Sequence, residues 1–96
     1  LARRTDRAEV LKEAWVGDAV LSLYARLKIL REDGLIDGAK SVRLTSNQFL
    51  SCFGEPSEVE AEIGQVYSSQ GLDEAFRFIE SRLIPVFERQ EARRRK

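Results

Sequence analysis

The 96-residue chain has no histidine, one cysteine, two prolines and one tryptophan. Without histidine there can be no histidine proton shuttle and no serine–histidine triad, and with Cys52 as the sole thiol ordinary zinc sites are excluded too. A single thiol cannot build an intramolecular disulfide framework, which suits a reducing, cytoplasmic location. No apolar run approaches the roughly 20 residues of a membrane span, and the first residues do not resemble a signal peptide, so no membrane association is expected. Period-two alternation is nowhere sustained, which argues against strands. Chemistry is left to carboxylates, hydroxyls, amides and positive charge. That set favours hard cations such as Mg²⁺ over soft ones.

What is present describes one small folded domain. At 43% hydrophobic and 33% charged residues the composition is neither disordered nor fibrous, and 96 residues suffice for one core. The net charge of zero is unevenly spread. Arg3, Arg4 and Arg7 outweigh Asp6 at one end, and Arg93, Arg94, Arg95 and Lys96 outweigh Glu91 at the other. The ends 1–5 and 91–96 are expected to be basic and mobile. Glu55, Glu58, Glu60 and Glu62 make the middle acidic. Basic ends could reach a phosphate backbone while an acidic centre holds metal. The plainer reading is frayed basic termini and a glutamate-rich helix start that matches the helix dipole.

The apolar spacing is helical throughout. Val10, Leu11, Ala14, Trp15, Leu21, Tyr24, Ala25 and Lys28 recur at intervals of three and four, which predicts a helix from Thr5 or Asp6 to Leu30. Asp6 and Glu9 match a capping box, and Glu32-Asp33-Gly34 matches a stop. A second helix is expected after Asp37-Gly38, carrying Val42, Ser46, Phe49 and Phe53 to a stop at Gly54. A third runs from Pro56-Ser57 to Gln70-Gly71 over Val59, Ile63, Val66 and Tyr67. A fourth, capped by Asp73, turns Phe76, Ile79, Leu83 and Phe87 inward, with a kink or early end at Pro85. The fold class is all-α, with four or five helices.

Two carboxylates stand out. Asp18 is the only charge among residues 14–24, in what should be the most buried part of the longest helix. An isolated buried carboxylate is costly unless it is paired, protonated or bound to a cation. Gly17 beside it suggests that another backbone packs closely there. Three ordinary explanations stand beside a metal role for Asp18: a helix break with Asp18 as N-cap, a pairing with a core arginine, or a cap on a neighbouring helix. Glu60 is the second candidate, in Glu60-Ala61-Glu62-Ile63-Gly64. Locally it fits a capping box with Ser57, although Pro56 at the first helical position would make Ser57 already helical.

At these segments the chain resembles the ribonuclease III catalytic domain. Gly17-Asp18-Ala19-Val20-Leu21 is similar to the core of that family's signature helix. Arg43-Leu44-Thr45-Ser46-Asn47-Gln48-Phe49-Leu50 is similar to its mid-domain helix. Glu60-Ala61-Glu62-Ile63-Gly64-Gln65-Val66-Tyr67, then Gly71-Leu72-Asp73-Glu74-Ala75, resemble its second catalytic helix and the turn beyond. Together they span rather more than half the chain, from Gly17 to Ala75, in family order. Ala14-Trp15-Val16-Gly17-Asp18, Tyr24 and Arg26 resemble most the compact branch called Mini-ribonuclease III. Ala14, Leu11 and Ser57 stand where the family places further carboxylates, and the stretch between Asp18 and Glu60 is short.

The resemblance implies a shortened ribonuclease III-like endonuclease domain over residues 1–96. It implies a homodimer that cleaves double-stranded or structured RNA, as in ribosomal RNA processing, with Mg²⁺ (or Mn²⁺) held by Asp18 and Glu60 as catalytic and metal-binding residues. Arg3, Arg4, Arg7, Arg93, Arg94, Arg95 and Lys96 are the candidate RNA contacts. Trp15, Gly17 and Leu21 are the candidate dimer interface, since apolar residues run nearly all round residues 14–24. The rival of a different class is an inactive ribonuclease III-fold dimer that binds RNA or the ribosome as a scaffold. A helical protein-interaction module unrelated to RNA is the third reading.

Overall fold

The computed structural model describes residues 6–94, and all its regular elements are α-helices. In chain order they are α1 (Arg7–Asp33), α2 (Gly38–Thr45), the single turn α3 (Asn47–Leu50), α4 (Pro56–Gln70), α5 (Leu72–Arg82) and α6 (Ile84–Arg94). No strand occurs among the described residues. None of their helices is long and apolar enough to cross a membrane.

α1 is the axis of the molecule. Its 27 residues rise about 40 Å at 1.5 Å each, most of the 49 Å long dimension. It starts where the Asp6 carboxylate accepts the Ala8 N–H at 3.0 Å, and stops where Gly34 turns left-handed at φ 74°. The reciprocal half of a capping box is not made, because Glu9 pairs with Lys12 at 3.2 Å. α4 lies along α1 in the most extensive contact of the fold, and α5 packs on both. Leu21, Leu50, Ile63, Ile79 and Leu83 form the centre of the core and are fully buried. Each contributes about 1.5–3 kcal/mol by leaving water. Phe49 stacks edge-on to Phe53 and Phe87 at centroid separations of 5.3 and 5.5 Å, which joins α3 to α6.

Two polar ties complete the packing. Lys28 is buried, and its ammonium donates to Glu32 at 2.8 Å and to Glu88 of α6 at 2.6 Å. The Tyr24 hydroxyl donates to Glu80 of α5 at 3.2 Å, and burial followed by the Glu80 charge pushes the phenol pKa upward.

Several sequence expectations change in detail. The second expected helix is divided at Ser46, whose extended backbone interrupts α2 and whose hydroxyl accepts the Phe49 N–H to start α3. α5 begins with Gly71 at its cap and no side-chain cap bond, so Asp73 is first-turn acid and not the cap. The kink or early end expected at Pro85 is present: α5 stops at Arg82 with Leu83 as its cap, and the chain resumes as α6 at Ile84 with Pro85 in its first turn, where its missing N–H costs nothing. Tyr67 is exposed rather than inward. The end expected to be mobile from residue 91 is helical through Arg94, and Glu91 is buried.

Candidate functional site: a carboxylate pair at a glycine crossing

The site is built where α1 crosses α4. Gly17 and Gly64 are both buried in that crossing. A methyl group on Gly17 would overlap the Glu60 carbonyl oxygen, and one on Gly64 would overlap the Glu13 carbonyl oxygen. The two helices therefore touch backbone to backbone, a contact that only glycine permits. The expectation that Gly17 receives a neighbouring backbone holds, and its counterpart is Gly64.

This close approach sets the positions of two acids. Glu60 lies one turn before Gly64 on α4, and Asp18 follows Gly17 on α1. Their carboxyl groups come within hydrogen-bonding reach of each other. Burial, then the hydrogen bond to Asp18, then the charges of Asp18 and Glu55, push Glu60 up to about 7. A half-buried acid facing another acid holds its proton to a higher pH than an ordinary carboxylate, and a nearby cation would release it earlier.

Asp18 itself is exposed, not buried as its apolar neighbours suggested. α1 is unbroken across Gly17-Asp18, so Asp18 caps no new helix. Its side chain pairs with no lysine or arginine among the described residues. It stands at the edge of the buried stripe formed by Val10, Ala14, Gly17, Leu21 and Tyr24, facing solvent on one side and Glu60 on the other.

Glu60 does not serve as a capping residue. The cap of α4 is Glu55, whose carboxylate accepts the Ser57 and Glu58 N–H groups at 3.2 Å each, with Pro56 in the first turn. Desolvation opposes ionisation of Glu55, but those two N–H groups and the Arg7 guanidinium hold it below the usual carboxylate range. Glu55 was not picked out in the sequence, although an acid directly before a proline-led helix is a readable cap.

The positions where the resemblance would place further carboxylates are otherwise occupied. Ala14 packs with Val10 and Ala61 in a small apolar cluster, Leu11 is 46% exposed, and Ser57 is helical in the first turn of α4. Among the described residues no group of three or more metal-ligating side chains gathers. The donor set is therefore two carboxylates. Such a set fits Mg²⁺, which uses one or two carboxylates and keeps several waters.

The remaining candidates scatter. Arg7 is in the first turn of α1 and pairs with Glu55, the cap of α4, at 3.2 Å. Arg93 and Arg94 lie in the last turn of α6, beside Arg43 and Glu91. Arg3, Arg4, Arg95 and Lys96 lie outside the described residues. Of the interface candidates, Gly17 and Leu21 are covered within the chain itself, by the α4 backbone and by the core, and offer no surface to a second copy. Trp15 is 82% exposed.

No family model, curated protein or solved structure gives a significant match to this chain.

Proposed function

We propose that the chain is a Mg²⁺-dependent endoribonuclease of the ribonuclease III type that acts on double-stranded or structured RNA. The observation that carries the reading is the meeting of Asp18 and Glu60 from two helices across a glycine–glycine crossing, with Glu60 raised to about 7. Two acids held against mutual repulsion are a place where a divalent cation relieves the strain. A bound Mg²⁺ would supply activation of water and stabilisation of the charge that develops on a phosphodiester. The glycine crossing fixes the two carboxylates relative to one another. Asp18, being exposed, leaves the site open to a backbone phosphate. Recognition would rest on shape, phosphate and 2′-hydroxyl contacts, not on base sequence. The single thiol agrees with a cytoplasmic setting.

The same reading makes the active species a homodimer. Trp15 is 82% exposed on α1, and Leu30, Ile36 and Val42 are exposed at 48%, 90% and 64%. Apolar surface of this extent on a small domain is the usual mark of an interface. Of the three interface candidates, Trp15 alone remains for it.

One observation favours a second reading. Among the described residues no third ligating side chain joins the two carboxylates, and Ala14, where the resemblance places a further acid, packs with Val10 and Ala61 instead. An RNA-binding scaffold on the same fold would need no cation there.

The test is cleavage of a long double-stranded RNA with Mg²⁺ by the wild type, Asp18→Asn and Glu60→Gln. Products from the wild type that vanish in both variants are expected. A wild type that binds the duplex and cuts nothing with Mg²⁺ or Mn²⁺ would establish the scaffold instead.

A further inference from the structure

One face of α1 carries both a projection and a recess. Trp15 projects from it, almost fully exposed. Farther along, α1 and α2 enclose a groove of about 520 Å³ whose walls include Ser22, Arg26, Leu30, Ile36 and Val42. The last three are exposed, so the groove has open apolar sides. At about 100° per residue, Trp15, Asp18, Arg26 and Ile29 all lie within about 40° of Ser22 around the helix axis, and α1 is unbroken across them.

The charges on this face are placed symmetrically. Asp18 is exposed without a basic partner, and Arg26, also exposed, makes no ion pair among the described residues. Asp18 stands four residues before Ser22 and Arg26 four after it. Trp15 stands seven before, and Ile29, in the groove wall, seven after. A two-fold axis at Ser22 that lays α1 antiparallel on α1 of a second copy brings each Trp15 to the other copy's groove and each Asp18 to the other copy's Arg26. Such self-complementarity is what an isologous contact requires, and a surface made for a different protein has no need of it. A seated indole buries about 150–250 Å², and the groove that receives it loses a similar area. Two seats supply about half or more of the roughly 1,200 Å² of a stable interface, before the α1–α1 contact between them is counted.

We propose that a second copy of the chain docks in this antiparallel arrangement, with Trp15 of each copy in the α1–α2 groove of the other, and that the partner's Arg26 thereby joins the site of Asp18 and Glu60. One guanidinium against two carboxylates offsets one negative charge and leaves the other for a bound cation. The site is then completed by the second copy. The inference deepens the homodimer of the nuclease reading and rests on it, but not on the chemistry assigned to the carboxylates.

Ser22 makes the arrangement measurable. Helices packed about 8–10 Å apart bring facing Cα atoms into the roughly 4.4–6.8 Å range of a disulfide. The experiment oxidises Ser22→Cys in a Cys52→Ser background and reads intact mass, with Ser68→Cys, exposed on α4, as the control in the same background. A disulfide-linked dimer from Ser22→Cys and none from Ser68→Cys is expected. In the otherwise unaltered chain, Arg26→Glu should raise the dimer Kd about ten-fold in sedimentation equilibrium, because two cross-copy pairs turn repulsive. An unchanged circular dichroism melt shows that the fold of that variant is intact. A wild type that dimerises while Ser22→Cys stays unlinked would overturn this arrangement and leave the homodimer on another face. A monomeric wild type at tens of micromolar would overturn the arrangement and the homodimer together, and would leave the groove to a different occupant. A dimer Kd unchanged in Arg26→Glu would overturn the partner's Arg26 as part of the site, whatever the outcome of RNA cleavage.

Discussion

Glu60 and Glu91 are both glutamates set on a helix against another helix, and they differ in what faces them. Glu91 meets Arg43, whose guanidinium accounts for most of the downward pull on its pKa; the pair is complete, and α2 is fastened to α6. Glu60 meets Asp18, an acid, and is pushed up to about 7. A fold that needed only cohesion could have placed an arginine there, as it does beside Glu91. One region satisfies its charges internally, and the other leaves a negative pair at an edge open to solvent. That contrast separates the structural acid from the candidate site.

The largest effect comes from breaking the contact that creates the pair. Gly64→Val or Gly17→Val should cost about 3 kcal/mol or more in urea denaturation, because the added carbons meet helix backbone that cannot yield. Gly38→Ala, with open space around it, should leave the midpoint almost unchanged. A mild Gly64→Val would show that the helices can separate freely, and the fixed geometry of the two acids would go with it.

Next in size is the satisfied glutamate. Glu91→Ala leaves the partly exposed Arg43 without its partner and should destabilise by about 2 kcal/mol, less than a fully buried pair would lose.

Glu60 should respond in the opposite direction. The folded chain keeps the Glu60 proton up to about 7, whereas the unfolded chain loses it in the ordinary carboxylate range. Between those limits the folded state binds more protons, so without divalent cation stability falls as pH rises through that window. Glu60→Gln removes this loss and should stabilise the metal-free protein above the window by about 1 kcal/mol, a figure reduced for the half-exposed position. Chemical denaturation at several pH values reads it. A destabilised Glu60→Gln at alkaline pH would mean that Glu60 is as satisfied as Glu91.

The smallest effect on the fold belongs to Trp15. Trp15→Glu should change monomer stability by less than about 0.5 kcal/mol, because the ring lies outside the core. It should nevertheless shift light scattering from dimer to monomer. A wild type that is already monomeric at tens of micromolar would remove the dimer from the account.

Much of this was legible in the sequence, and the parts that were not share a cause. Helix starts at Asp6 and Asp37, the stop at Gly34 and the span of α4 follow from local chemistry, which one chain displays openly. The meeting of a backbone at Gly17 was readable because glycine in a helix interior needs a reason. Its counterpart Gly64 was not, since nothing local says which glycine answers which. Asp18 was misplaced as buried because apolar neighbours on both sides hide the fact that it lies one position beyond the crossing, at the edge of the stripe. Gly17 and Leu21 were assigned to a dimer surface because the sequence shows how much of α1 is apolar but not which part the chain's own α4 and α5 cover. Arg43 with Glu91 is a long-range pair, 48 residues apart, and carries no local signal.

The most direct test of the central claim is calorimetric titration of the wild type, Asp18→Asn and Glu60→Gln with Mg²⁺ alone, at about pH 8 and about pH 5.5. The account predicts wild-type binding at the higher pH that weakens at the lower one, where Glu60 holds its proton, and at least about ten-fold weaker binding in each variant. Equal Mg²⁺ binding by the wild type and both variants, or none by any of them, would contradict it.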